Sequence, residues 1–213
     1  MQIYLHSYLP KSCIVIYRLQ YAVNNPVRFI DVLGLFPGDP VKNPEICPTP
    51  NHGINGGRWG NTRGRHHNGL DIKAKIGTPI KSIKSGTVYS SNNAGKLGNY
   101  SIIRSKLDDG TFLFTLYSHL KEVPTVTGKV NEGDEIGIAG KSGNAKDMPE
   151  EREHVHITTR VGESEKWEDA VEVNPEDFLD TKFDSDGKPI SSEPPAAPTP
   201  TTEERREIKE KII

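Results

Sequence analysis

Cysteine is scarce in this chain, and its absence from the histidine-rich region removes two classes of protein. Among 213 residues there are only two cysteines, Cys13 and Cys47, and both precede the region that holds most of the histidines. Two cysteines cannot build a thiolate zinc site or a dense disulfide framework, although the pair could form one disulfide. A cysteine-type zinc finger and a disulfide-rich secreted scaffold are therefore excluded.

The chain also lacks a large excess of acidic or basic residues, and it lacks long apolar runs. The formal net charge is −2 and no long basic run occurs, so we expect no binding to nucleic acid or to anionic lipid. Polar residues and a proline interrupt residues 1–20, so this stretch predicts neither a signal peptide nor a membrane span. Any export would then use another route.

Apolar material is limited, and prolines divide the chain. Hydrophobic residues make up 33% of the sequence, which supports one modest domain with poorly packed, disorder-prone ends. Five prolines predict an extended linker over residues 37–56, and a Pro/Ser/Thr-rich tail with a short charged helix follows at residues 183–213. We therefore predict a single folded domain at residues 57–182, preceded by a distinct segment at residues 1–36.

Within residues 57–182, short apolar runs alternate with turn residues. The runs cover residues 78–83, 86–89, 100–104, 111–117, 135–139 and 154–158. This spacing predicts an all-β fold, either a two-layer antiparallel sandwich or an open barrel. Asp108-Asp109-Gly110 predicts a hairpin between two of the strands.

Histidines and one aspartate gather in the same segment. His67 and Asp71 are separated by Asn68-Gly69, which argues against a helix, so we expect His67 in a loop and Asp71 on a strand. His154 and His156 are two apart on a predicted strand, so their imidazoles project from one face. Two imidazoles and the carboxylate offer three ligands suited to zinc or another divalent first-row metal, with a fourth position for water. This pattern predicts metal-assisted amide hydrolysis.

Further motifs resemble those of the lysostaphin-like (LytM-type) zinc metallopeptidases, which cleave peptide cross-links of bacterial cell walls. In the family's order they cover residues 63–72, 77–80, 85–88, 98–102, 117–120, 133–137, 139–143, 154–156 and 173–175. The resemblance implies a lysostaphin-type fold and one zinc ion held by His67, Asp71 and His156. It implies that His119 and His154 are the catalytic residues. The charged approach to the motif at residues 154–156, formed by residues 148–153, departs from the family and implies an altered substrate groove.

Residues 21–35 carry a second pattern, Tyr-x-x-Asn-Asn-Pro-Val-x-x-Ile-Asp-x-x-Gly-Leu. It resembles the end of the core in rearrangement-hotspot (RHS) repeat proteins, after which a variable toxin domain usually begins. The resemblance implies that residues 1–36 are a core remnant and that the remainder is the toxin of a polymorphic effector. It further implies delivery by a specialised secretion system to the periplasm or wall of target bacteria, and a cognate immunity protein as partner.

Other interpretations stay open at this point. The same fold could serve as a non-catalytic module that binds cell walls or activates another hydrolase, or as a peptidase for protein substrates. A lone His119 on a strand is more often a packed histidine, and His66 a solvated neighbour of His67. Three arginines could equally meet a substrate carboxylate or solvate their loop: Arg58, Arg63 and Arg65.

Overall fold

A computed structural model describes residues 38–190, and most of the regular structure in this range is β-strand. The nine strands of this part are β1 (Leu70–Lys73), β2 (Pro79–Lys81), β3 (Gly86–Ala94), β4 (Gly98–Lys106), β5 (Phe112–Leu120), β6 (Lys129–Val130), β7 (Glu135–Ile138), β8 (His154–Gly162) and β9 (Val171–Val173). Single 3-10 turns lie at Ile54–Gly57, Gly95–Leu97, Gly143–Ala145, Glu150–Arg152, Trp167–Asp169 and Pro175–Phe178. The all-β prediction is confirmed, although β6 and β9 are too short to show a pattern in sequence.

The strands form two antiparallel sheets. The larger sheet has the order β1-β8-β5-β4-β3-β6, with β9 paired to β8, and the smaller one consists of β2 and β7. The main core lies between them, where Ile80 and Ile136 of the small sheet join Tyr117 and Val155 of the large one. Between residues 38 and 190, no helix has the length and apolarity that a bilayer crossing requires.

Strand β5 is buried along almost its whole length because both of its faces are covered. Leu113 and Tyr117 are fully buried on one face, where the Tyr117 hydroxyl accepts a hydrogen bond from the Ile83 N–H (2.9 Å). Phe114 and Leu116 belong to a second apolar cluster on the other face. A continuous apolar run such as 112–117 is typical of a strand with two covered faces.

Residues 38–56, here called the strap, differ from the predicted linker because they pack onto the domain. Ile46 is 0% exposed within the core and bridges to Ile72 of β1. The Cys47 N–H donates to the Asp71 carbonyl (2.8 Å), and the Lys73 N–H donates to the Glu45 carbonyl (2.9 Å). The strap therefore covers the outer edge of β1, and its prolines keep this pairing short.

The other flank also packs, in contrast to the predicted tail. Phe183 is 9% exposed within the main core, and the Gly187 carbonyl accepts a hydrogen bond from the Ile46 N–H (2.9 Å). The carboxylate of Asp39 accepts hydrogen bonds from the Thr181 N–H (3.1 Å) and hydroxyl (2.7 Å). The segment at residues 1–36, the Cys13–Cys47 pairing and the tail from residue 191 lie outside the described residues.

Candidate metal centre

The pairing of β1 with β8 brings the candidate ligands to one face of the sheet. Asp71 lies directly opposite His156, and residues opposite each other on antiparallel strands project to the same side. His154 shares that side because it is two residues from His156. The intervening Val155 lies opposite Ile72, and both are fully buried on the core side. Alternation along two strands is therefore enough to gather three of the five predicted residues.

His67 joins them from the loop that precedes β1. Its N–H and carbonyl both bond to the backbone of Gly60 (2.8 and 2.9 Å), which has a φ of 101°, in the left-handed region that favours glycine. Gly69 then allows a close approach, because a Cβ there would lie 2.4 Å from the Ile157 carbonyl oxygen and 2.5 Å from the His156 ring. The glycines of this loop thus place His67 beside His156.

Three donor atoms converge at this point. His67 Nε2, Asp71 Oδ1 and His156 Nδ1 all lie within 4.8 Å of one another, and the three residues are 4%, 4% and 8% exposed. The closest pair, His156 Nδ1 and Asp71 Oδ1, is 2.8 Å apart, and His67 Nε2 lies 3.2 Å from His156 Nδ1. Two imidazoles and one carboxylate form a ligand set that fits one zinc ion, and three protein ligands are typical of catalytic zinc.

Each of the three side chains is held by an outer partner on its remaining polar atom. The partners are the Arg58 carbonyl for His67 Nδ1 (2.8 Å), the Arg63 guanidinium for Asp71 Oδ2, and the Thr158 hydroxyl for His156 Nε2 (3.1 Å). Outer hydrogen bonds of this kind fix the tautomer and the orientation of metal ligands. The Arg58 carbonyl requires the proton of His67 on Nδ1, so His67 Nε2 keeps its lone pair. The Thr158 hydroxyl can accept the proton of His156 at Nε2 when Nδ1 binds an ion. The sequence pattern did not assign these partners.

His119 and His154 lie beside the same centre with one nitrogen free. The Nδ1–H of His154 donates to the Arg152 carbonyl (2.8 Å), and that of His119 donates to the Ser142 carbonyl (3.1 Å). The centroids of the two rings are 5.2 Å apart, and His154 Nε2 is 3.6 Å from Asp71 Oδ1. The structure thus brings together all five residues that the sequence predicted.

His119 reaches this position through a β-bulge. Ser101 of β4 pairs with Tyr117, but Asn99 pairs with Leu120, so β5 carries one extra residue at this point. His119 has a φ of 62°, which is uncommon for a residue other than glycine. In an unbroken strand residue 119 would point to the same side as Tyr117, into the core. The bulge turns the imidazole to the opposite side, and no turn residue in the sequence signals it.

Ser142 ties this bulge to the neighbouring strand. Its hydroxyl donates to the Leu120 carbonyl (2.8 Å) and accepts from the Asn99 N–H (2.8 Å), while its own carbonyl holds His119. The Asn99 side chain donates to the carbonyls of Leu120 and Lys121, both at 3.1 Å. The sequence places Ser142 in a family motif, but only the structure shows what it contacts.

Burial and mutual contact set the ionisation of the centre. Burial raises the pKa of the Asp71 carboxyl, but His154, His156 and His67 outweigh it and hold that pKa well below its ordinary value. Burial, together with the charges of His154 and His156, lowers the pKa of His119 to about 4. Burial also lowers the pKa of His156, against the opposing effect of Asp71. His119 and His156 are therefore neutral at pH 7, the form that can bind a metal or accept a proton.

The five side chains lie in a groove of about 510 Å³. Its walls come from four separate stretches: residues 47–52 of the strap, residues 63–68, residues 96–97 and residues 144–152. His66 is directed away from the centre, with its Nε2 2.6 Å from a carboxylate oxygen of Glu172. The contribution of the strap to the groove is unexpected, because the sequence predicted residues 37–56 as a linker.

Comparison with known proteins shows the family of this chain. The model of peptidase family M23 matches residues 65–175, which contain all five residues of the centre. Peptidoglycan DD-endopeptidase ShyA of Vibrio cholerae is 36% identical over 78 residues, which are 36% of this chain and 17% of that protein. DD-carboxypeptidase/endopeptidase Mpg of Neisseria meningitidis is 30% identical over 97 residues, which are 46% of this chain and 20% of that protein. The match thus spans at most a fifth of either relative.

Solved structures give matches of the same kind. The catalytic domain of the prophage-encoded M23 protein EnpA from Enterococcus faecalis superposes with a TM-score of 0.45 at 28% identity, over 55% of this chain and 85% of that one. The catalytic domain of lysostaphin from Staphylococcus simulans gives a TM-score of 0.41 at 26% identity, over 60% and 84%. Since the family model covers more than half of the 213 residues, the chain belongs to peptidase family M23.

Proposed function

We propose that this chain is a zinc-dependent endopeptidase that hydrolyses peptide cross-links of bacterial peptidoglycan. The observation that carries the proposal is the convergence of His67, Asp71 and His156 in an open groove, with the free nitrogens of His119 and His154 beside them. Membership of family M23 supports the peptidase activity. Two relatives named as peptidoglycan endopeptidase or DD-carboxypeptidase/endopeptidase support the substrate.

The ligand atoms in this proposal are His67 Nε2, Asp71 Oδ1 and His156 Nδ1. When bound, zinc polarises a carbonyl group and lowers the pKa of a coordinated water to about 7. Arg63 occupies Asp71 Oδ2 and so leaves Oδ1 for the ion. The guanidinium also balances the buried carboxylate charge, which would otherwise be costly inside the protein.

His119 and His154 act as proton carriers at Nε2 in this proposal. Because each Nδ1–H is bound to a backbone carbonyl, the free Nε2 can accept the proton that a water molecule loses as it attacks the amide carbon. The imidazolium so formed can stabilise the developing oxyanion, or pass the proton to the departing amine nitrogen as the C–N bond breaks. Two imidazoles on one side of the centre allow these tasks to be divided.

The decisive experiment is digestion of purified bacterial walls by the wild type and by His156→Ala. We expect the wild type to release peptides with new amino termini, identified by mass, and His156→Ala to release none because one zinc ligand is gone. His66→Ala is the matched control and should retain activity, since His66 contacts Glu172 rather than the centre. Equal digestion by the wild type and His156→Ala would contradict the proposal.

Two alternatives are separated by the same preparations. A non-catalytic module that binds walls or activates another hydrolase would bind wall material without releasing peptides. The complete His2Asp set disfavours that role, and a metal analysis that finds about one zinc per chain would agree with an enzyme. A peptidase for protein substrates would instead digest an unstructured protein faster than purified walls.

We also propose that the chain is the toxin of an RHS-type polymorphic effector, delivered by a specialised secretion system to the periplasm or wall of rival bacteria. The pattern at residues 21–35, outside the described residues, supports this role. A producing cell would then need an immunity protein that covers the groove. Expression directed to the periplasm should lyse cells for the wild type but not for His156→Ala. A pull-down from the native host that recovers no dedicated small binder would count against the immunity protein.

A further inference from the structure

Outside the centre, the ionisable groups that line the groove include no carboxylate. Apart from Cys47 and the five residues of the centre, they are His52, Arg63, Arg65, Lys96 and Arg152. Asp71 supplies the only carboxylate in this lining, and it already lies among the imidazoles and against Arg63. A groove with an excess of cationic side chains attracts anionic ligands.

The structure separates the three arginines that the sequence left open. Arg58 pairs with Glu176 at 2.5 Å and does not line the groove. Arg63 is committed to Asp71 and to the Gly56 carbonyl. Arg65 is exposed at the groove and makes no ion pair with any residue from 38 to 190. Only Arg65 of the three is available to a ligand.

Lys96 and Arg152 add one cation from each of two other walls. Lys96 lies in the 3-10 turn Gly95–Leu97 between β3 and β4, and Arg152 lies in the turn Glu150–Arg152 just before β8. Neither side chain has a carboxylate partner within the described part of the chain. Of the acidic residues beside Arg152, Glu150 pairs with Lys75 (3.0 Å) and Glu153 accepts from the Ile76 N–H (2.9 Å). Glu151, which is exposed, forms no ion pair with Arg152.

We infer that the groove selects peptides carrying a free carboxylate next to the scissile amide, and that Arg65, Lys96 and Arg152 recognise it. This inference rests on the proposed function and adds to it the chemical class of the substrate. The carboxylate could be the terminal group of a peptide stem or the side-chain group of an acidic residue. Either would supply a counterion to side chains that have no carboxylate partner among residues 38–190, whereas an uncharged peptide would not.

The test compares three forms of one cross-linked wall peptide: the free acid, the form amidated at its terminal carboxylate and the form amidated at its side-chain carboxylate. Binding is measured by calorimetry with a zinc-loaded variant that carries both His119→Asn and His154→Asn and so lacks both proposed proton carriers. Asn is chosen at residue 119 because it adopts the left-handed backbone readily. We expect the free acid to bind more tightly than at least one amidated form. Arg65→Gln, Lys96→Gln and Arg152→Gln should each weaken free-acid binding about three- to fivefold. Lys129→Gln, an exposed change outside the groove, should have no effect.

Kinetics of the otherwise wild-type chain give a second measurement. The three groove variants should raise KM for the free acid and leave kcat unchanged, which a general loss of structure would not do. The amidated form that binds more weakly than the free acid identifies which carboxylate is recognised. Equal binding of all three forms, or an equal loss for free and amidated peptides in the variants, would overturn the inference even if walls are digested. Absence of wall digestion would instead count against the proposed function.

Discussion

The carboxylate of Asp71 touches more of the centre than any other side chain. Its Oδ1 lies 2.8 Å from His156 Nδ1, 3.4 Å from His67 Nε2 and 3.6 Å from His154 Nε2, and Arg63 holds its other oxygen. These contacts need the negative charge, because an uncharged group would leave the guanidinium without a counterion.

Asp71→Asn should therefore abolish zinc binding and wall digestion while the fold persists. Loss of an outer partner of a metal ligand costs about tenfold to a hundredfold in affinity or activity, and loss of a ligand should cost at least that much. Zinc content by mass spectrometry and wall digestion are the measurements. Asp177→Asn, at an exposed residue of the 3-10 turn Pro175–Phe178, is the control. Full zinc content in Asp71→Asn would contradict the ligand assignment.

Ser142 is predicted to position His119 rather than to take part in the chemistry. Ser142→Ala removes the hydroxyl that joins Leu120 to Asn99, so the bulge loosens and kcat should fall by about tenfold to a hundredfold. Zinc content should stay near the wild-type value, and Ser142→Thr should restore much of the rate. A parallel loss of zinc, or no rescue by Thr, would show that Ser142 has a wider structural role.

The sequence predicted the directions of some side chains of the centre correctly and not those of others. The spacing of His154 and His156 fixes their common face, because side chains alternate along any strand. Alternation gives the wrong side for His119, whose direction depends on one extra residue in β5. Three of the imidazoles donate to backbone carbonyls, those of Arg58, Arg152 and Ser142. Every residue type carries such a carbonyl. Sequence alone therefore could not identify them.

At the scale of elements, the strap is the largest departure from the sequence prediction. Five prolines predicted an extended segment, and an extended segment is what the structure contains at residues 45–47. The two apolar residues there, Ile46 and Cys47, form too short a run to be recognised as core.

Burial of Cys47 raises the pKa of its thiol to about 11, so that thiol stays protonated at neutral pH.

Ile46→Ala should lower the free energy of unfolding by about 2–5 kcal/mol, because it leaves a cavity against β1. The zinc affinity should fall as well, since β1 carries Asp71. Ile76→Ala is a matched control at a side chain that is 50% exposed and should change stability by less than about 0.5 kcal/mol. Urea unfolding measures both variants, and equal midpoints would show that the strap contributes nothing to the core.

At the scale of the whole molecule, the buried imidazoles should make the zinc-free chain sensitive to acid. The pKa of His119 lies near 4 in the folded state, and that of His156 is also lowered, against an ordinary value of 6.5. The unfolded chain therefore binds protons first as the pH falls. The contribution of the two imidazoles to stability should be fully present above about pH 6.5 and should be lost as the pH falls toward 4. The contribution of Asp71 should be lost only below its ordinary pKa of 3.8, because its pKa in the folded state is lowered.

Urea midpoints of the chain treated with chelator, taken at pH 7.5 and pH 5, measure this decline. His119→Asn should show a smaller decline than the wild type, because one of the two buried imidazoles is gone. A midpoint that is the same at both pH values would contradict the assignment. Zinc should restore stability at pH 7.5 more than at pH 5, since protons compete with the metal for the imidazoles.

The architecture itself was largely predictable. Short strands with turn residues between them are encoded locally, which is why the apolar runs from residue 78 to residue 158 correspond to strands. The ends of the domain were not predictable in the same way, because Ile46 bonds to Gly187, which lies far away along the chain. Contacts between distant residues leave little trace in a local pattern.

The long separation between partners has a consequence for synthesis. His156 meets Asp71 across 85 positions of the chain, and Gly187 reaches Ile46 later still. A nascent chain emerging from the ribosome thus carries His67 and Asp71 long before His156 exists. The five side chains of the centre can therefore come together only once translation of the domain is nearly finished.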